Sequence, residues 1–181
     1  MFKTTVLAGA IAAGMALPGV MAVAQAAPGA MSGMEMPKQA PLSKSLTLTV
    51  DGKETRFSVA DLNAMPQRTE IVHNEHTKAD EKYTGVALSD LLAKAGFTAN
   101  KTTQKQMLHS YIVATGTDKY WVLYSATEVE GSEHDGDVIV ATSMNGRSLG
   151  ADGEIKLVST EDKKPQRWVR NLTAITLKTA E

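Results

Sequence analysis

From Ser45 onward the chain is written mostly in period two, as short runs separated by turn residues. Leu46-Thr47-Leu48-Thr49-Val50 alternates apolar and polar side chains, Asp51-Gly52 supplies a turn, and Thr55-Arg56-Phe57-Ser58-Val59 resumes the alternation. Alternation sends every second side chain to the same face, so the pair predicts a β-hairpin with one face on a core. Further strands are predicted over 68–73, 107–115, 120–125, 138–143, 155–159 and 172–177, with Asn145-Gly146 as a tight turn. The clearest helical period places Leu88, Leu91, Leu92 and Ala95 at i, i+3, i+4 and i+7, with Ser89 as the expected cap and Gly96 in the C′ position. Ser58, with Asp61 three residues on, heads a shorter helix that Pro66 ends. Residues 74–82 are polar and read as an exposed loop. Long crossover helices are missing, so the fold class is α+β with a mostly antiparallel or mixed sheet in a single domain over 45–181.

The N-terminus follows a different pattern. Lys3 precedes an apolar run from Thr4 to Leu17, Pro18 breaks it, and Ala24-Gln25-Ala26 offers the small-x-small pattern a signal peptidase accepts. Residues 1–26 are therefore expected to be a signal peptide, and the mature protein to be periplasmic. The run is too short and too rich in Ala and Gly to span a bilayer, which takes about 20 apolar residues. Residues 27–44 are rich in Pro, Gly, Ala and Met and are expected to be a flexible linker. Met31, Met34 and Met36 cluster there, and thioethers are soft ligands suited to Cu(I).

Composition removes whole classes of chemistry. The chain has no cysteine, which excludes disulfide staples, thiolate metal sites, iron–sulfur clusters and cysteine nucleophiles. With 19 basic against 20 acidic residues it lacks the footprint of a nucleic-acid binder. No G-x-S-x-G elbow, phosphate-cradling glycine loop or H-E-x-x-H motif is present. Candidate metal ligands are His73 and His76 in His73-Asn74-Glu75-His76, and Glu133-His134-Asp135 with Asp137 forms a second polar cluster. His109 and the two tryptophans, Trp121 and Trp168, fall in strand contexts and read as core or face residues. Lys163, Lys164, Arg167 and Arg170 surround Pro165 and Trp168, a concentration of cations able to grip a phosphate or other anion.

Taken together, residues 57–67 (FSVADLNAMPQ), 83–96 (YTGVALSDLLAKAG), the turn 116–120, 144–159 (MNGRSLGADGEIKLVS) and 165–177 (PQRWVRNLTAITL) resemble the sulfite-oxidase-type molybdopterin-binding domain, in order and across the mature chain. The resemblance implies a mixed-sheet α+β fold and a pocket shaped for a pterin and its phosphate. It also implies that the basic residue before the late Trp, here Arg167, holds the cofactor. Active members of the family bind molybdenum through a cysteine thiolate on the strand after the short helix, and His73 falls near that slot. A neutral imidazole does not reproduce a soft anionic thiolate as a donor, so molybdenum ligation by cysteine is excluded and the cofactor stays open.

Three functions follow as expectations. The favoured one is an exported protein of this fold, non-catalytic for molybdenum redox chemistry, that binds a small anionic ligand or a periplasmic partner protein. The others are an oxidoreductase subunit holding molybdopterin without a cysteine, and a copper or zinc binder using the Met cluster with His73 and His76. On the favoured reading, Arg167→Ala abolishes anion binding and leaves stability nearly unchanged.

Overall fold

The computed structural model describes residues 40–75, 77–130 and 137–180. The expected signal peptide (residues 1–26), the Met31/Met34/Met36 cluster, His76 and Glu133-His134-Asp135 lie outside these residues.

Strands β1 (Ser45–Val50) and β2 (Lys53–Ser58) form the expected hairpin, with Asp51 and Gly52 both at positive φ in the turn. Helix α1 (Val59–Asn63) follows at once because Ser58 and Asp61 make a reciprocal capping box, at 3.1 and 2.8 Å. Strands β3 (Arg68–Asn74) and β4 (Ala79–Ala87) come next, and then α2 (Leu88–Lys94), α3 (Gln104–Leu108) and β5 (Ser110–Gly116). The chain closes with β6 (Trp121–Ser125), α4 (Ala126–Glu130), β7 (Val138–Met144), β8 (Lys156–Ser159) and β9 (Leu172–Thr179).

The strands sort into two sheets. One runs β2-β1-β9-β5-β6 with β1 and β9 parallel, and the other runs β3-β4-β7-β8 and is antiparallel throughout. A main core packs Leu46, Leu48, Ile112 and Ile175 of the first sheet together with Val86, Val140 and Leu157 of the second and Leu88 and Leu91 of α2. The far face of the second sheet carries another cluster, in which Tyr83, Ile139, Ala141 and Val158 are buried and Trp168 packs against them. Sheet residues alternate between the two clusters, so β7 and β8 bury both faces, and Lys156 shares its face with Val158. No helix among the described residues is long and apolar enough to cross a membrane.

Several expectations need correction. Residues 74–82 are not a loop: β3 and β4 pair along their length, and only a short turn with Lys78 at φ +54° joins them. Both strands there are exposed, so their polarity hid the pairing. Met107 and Leu108 belong to α3 rather than to a strand, because the Asn100 side chain accepts from the amides of Thr102 and Thr103 and starts a turn that winds into helix. His109 is the exposed residue that ends α3. Ser89 does not cap α2; Ala87 occupies the cap position without a side-chain bond. Trp121 is 61% exposed on the edge strand β6. Pro41 and Ser43, placed in the linker by composition, are attached to the fold: the Pro41 carbonyl accepts from Thr117 Oγ1 and the buried Ser43 amide donates to Asn171 Oδ1 at 3.1 Å.

Candidate functional site

The second cluster opens into a cleft between four pieces of chain: the β3–β4 hairpin, the turn between β5 and β6, the connection from β7 to β8, and the segment from β8 to β9. The cleft has two lobes, of about 570 and about 460 Å³, that share a wall of Asn74, Glu81, Pro165, Gln166 and Trp168. Tyr83, Asp152, Lys156 and Arg170 line the larger lobe, and Val72, His73, Lys163 and Lys164 line the smaller.

The floor is built around Lys156, which is 6% exposed. A buried ammonium needs a partner, and here Asp152 Oδ2 lies at 2.7 Å and the Tyr83 hydroxyl at 3.1 Å. The ammonium also lies 4.8 Å from the Tyr83 ring centroid and 5.1 Å from that of Trp168, within cation–π range of both. Those two rings meet edge to face at 5.5 Å, and the Trp168 indole N–H donates to the Ser159 carbonyl at 2.9 Å. Tyr83 passes its own proton on, donating to Glu81 Oε2 at 2.7 Å, while Asn74 Nδ2 donates to Glu81 Oε1 at 2.5 Å. Burial, then the bond to Glu81, pushes the Tyr83 phenol well above its ordinary value, so it stays a neutral donor.

Two backbone features hold this floor in place. Gly85 sits at the β4 bulge, where a Cβ would lie 2.1 Å from the Val140 carbonyl oxygen, so the Tyr-Thr-Gly-Val stretch needs glycine for β4 to close on β7. Asn171 adopts φ +50°, its amide donates to the Asp152 carbonyl at 2.7 Å, and its carbonyl accepts from Thr117 at 3.0 Å. The Arg-Trp-Val-Arg-Asn stretch thereby ties the cleft segment to the turn opposite.

The four cations of that segment diverge. Lys163 and Lys164 line the smaller lobe and Arg170 the larger, while Arg167 lines neither. Arg167 points instead to Glu128 of α4, at 2.7 Å, and to Asp162, and its guanidinium lies 4.6 Å from the centroid of the Tyr124 ring. Glu128 first and Asp162 second hold it far above the usual guanidinium range. The Arg167 charge is thus engaged inside the protein, and the side chain fixes the segment that carries the other three cations. His73 does line the cleft, half-exposed, with Nδ1 2.8 Å from Asp80 Oδ1 across the hairpin. Among the described residues no three His, Asp or Glu side chains are grouped to hold a metal ion.

Sequence patterns passed over Glu81, Asp152 and Lys156. Lys156 did leave a signal, since it is the lone charge in the run Ile155-Lys156-Leu157-Val158, and a lysine inside an otherwise buried strand has to find a partner.

The donor set does not fit a molybdenum centre anchored through protein sulfur. The chain has no thiolate to offer, and the imidazole near the corresponding slot is engaged by Asp80. Nor is the cleft net cationic: Glu75, Glu81, Asp118, Asp152 and Asp162 face Lys156, Lys163, Lys164 and Arg170, an excess of one carboxylate.

Comparison with known proteins places this geometry. The family model described as oxidoreductase molybdopterin binding domain matches residues 34–179. A search of curated proteins gives no match. Among solved structures, the sulfane dehydrogenase SoxCD from Paracoccus pantotrophus is similar in fold, with a TM-score of 0.57 and 20% identity, over 83% of this chain and 42% of that one. This chain thus spans less than half the length of that neighbour, and at this identity the likeness concerns the fold. The match over nearly all of the described structure, on a mixed two-sheet α+β frame, makes the chain a member of the oxidoreductase molybdopterin-binding domain family.

Proposed function

We propose that this protein is exported to the periplasm and uses the cleft to bind a small ligand carrying an oxyanion, without molybdenum redox chemistry of its own. The observation that carries this reading is the pair Lys163 and Lys164, which line the smaller lobe with no ion-pair partner among the described residues. Ammonium groups on a cleft wall attract carboxylate, phosphate or sulfonate, and the aromatic wall beside them suits the apolar part of a small molecule. The leader supports export. The missing thiolate supports a role other than metal redox chemistry, because a member of this family without sulfur ligands keeps the fold but not the anchor.

Calorimetric titration of the mature protein with inorganic phosphate and simple organic phosphonates tests the reading. Binding that weakens at least about tenfold in a Lys163→Ala/Lys164→Ala double variant supports it, since each charged contact is worth roughly 1 kcal/mol or more. Stoichiometric molybdenum and a released pterin in protein purified from its native compartment refute it in favour of cofactor binding without cysteine. Copper held by the intact protein and lost in a Met31/Met34/Met36→Ala variant refutes it in favour of metal carriage.

A further inference from the structure

Many of the charges lining the cleft are already neutralised from within the protein. In the smaller lobe Glu75 is paired with Lys78 at 2.6 Å, Asp162 with Arg167, and His73 with Asp80. What remains there is Glu81 on one side and Lys163 and Lys164 on the other. In the larger lobe Asp152 is shared between Lys156 at 2.7 Å and Arg170 at 3.8 Å, which leaves Glu81 and Asp118 without a cation. Glu81 stands in the wall common to both lobes.

Glu81 is also the most firmly held of these charges. Each of its oxygens accepts one hydrogen bond, from Asn74 Nδ2 and from the Tyr83 hydroxyl, and Tyr83 is in turn held by Lys156. Both donors to the carboxylate are neutral, so they fix its direction and leave its full negative charge, with no cation within ion-pair distance among the described residues. A ligand that is only an anion meets this charge as a repulsion. A ligand with a cationic nitrogen as well meets it as a prearranged acceptor, at little further cost in ordering.

We propose that the cleft binds a zwitterion, with its ammonium group on Glu81 and its oxyanion on Lys163 and Lys164. Val72, Pro165 and Trp168 line the same lobe and suit a short apolar spacer between the two poles. The proposal rests on the oxyanion reading above and adds the second pole, which that reading does not require.

The test compares ω-aminoalkylphosphonates of two to six carbons with alkylphosphonates of the same length, titrated calorimetrically into the full mature protein near pH 7. At least one amino compound binds about tenfold more tightly than its amine-free match, as one charge-assisted hydrogen bond implies. In Glu81→Gln that advantage disappears while the alkylphosphonate binds as before or better. Lys163→Ala/Lys164→Ala weakens both members of the pair alike and serves as the control for the other pole. Equal affinity of amine and amine-free compounds for the unmodified protein overturns the zwitterion and leaves the oxyanion reading standing, as does an amine advantage that survives Glu81→Gln. Binding of neither series overturns the oxyanion reading beneath it.

Discussion

Arg167→Ala separates two accounts of one side chain, and the structure gives its effect a size. The guanidinium donates through Nε to both oxygens of Asp162 at 3.1 and 3.2 Å and through Nη2 to Asp162 and to Glu128. The two carboxylates are mostly shielded, at 11% and 21% side-chain exposure, whereas the arginine is 37% exposed. Truncating one partner of a fully buried pair costs about 3–5 kcal/mol and an exposed pair less than about 1 kcal/mol. This pair lies between, and loss of the stacking on Tyr124 adds about 0.5–1 kcal/mol. The expected destabilisation is about 2–3 kcal/mol.

Urea unfolding measures it. With a slope of about 1–3 kcal/mol/M, the midpoint falls by roughly 1–2 M at unchanged slope. Because the cost comes from orphaned carboxylates, a further Asp162→Ala substitution in the Arg167→Ala background restores part of the loss, a non-additivity of about 1 kcal/mol or more. Ligand affinity changes only as far as the segment 163–170 loosens. A midpoint shift below about 0.3 M together with complete loss of phosphonate binding refutes this reasoning and returns Arg167 to the ligand.

Three other perturbations follow from the same geometry. Gly85→Ala drives a Cβ into the Val140 carbonyl and the Ala141 backbone, so it costs about 3 kcal/mol and lowers the melting temperature by roughly 10 °C; a change under about 2 °C shows that β4 and β7 are not this close. Lys156 and Asp152 respond unequally: Asp152→Ala strands a buried ammonium and costs about 3 kcal/mol, whereas Lys156→Met leaves Asp152 partly exposed beside Arg170 and costs about 1–2 kcal/mol, and equal losses in urea unfolding contradict this. Burial holds the Tyr124 phenol well above the 10.0 of a free tyrosine, so above pH 10 the unfolded chain ionises while the folded one does not, and stability falls as pH rises. Tyr124→Phe loses about 1 kcal/mol at pH 8 with the bond to the Arg167 carbonyl, but that gap narrows by about 1 kcal/mol between pH 10 and 11; a constant gap shows that the phenol ionises as freely in the folded protein.

The frame was legible because its signals are local. Asp51-Gly52, the Ser58/Asp61 box and Gly96 at φ +94° each fix a turn or an end through their own backbone chemistry, and β1, β2, α1 and α2 fall where these residues put them. The site was less legible because it depends on direction. Lys163, Lys164, Arg167 and Arg170 lie within eight residues, yet the 3-10 turn from Pro165 to Arg167 and the bridge of Val169 to Leu157 send Arg167 toward α4 and its neighbours toward the cleft. Charge count sees four equivalent cations there, and only the backbone path tells them apart. Glu81 and Lys156 show the complementary case. Strand parity puts Lys156 on the face of Val158, but that this face covers a second cluster rather than solvent follows from the return of Trp168 over the sheet. Glu81 then owes its standing to three neighbours on three strands: Tyr83 beside it on β4, Asn74 across the hairpin on β3, and, from far along the chain, Lys156 reaching Tyr83 from β8. A carboxylate in an exposed-looking polar run is thus held in one direction by three strands of one sheet, a property that the sheet holding β3, β4 and β8 creates and that residue types along the chain do not display.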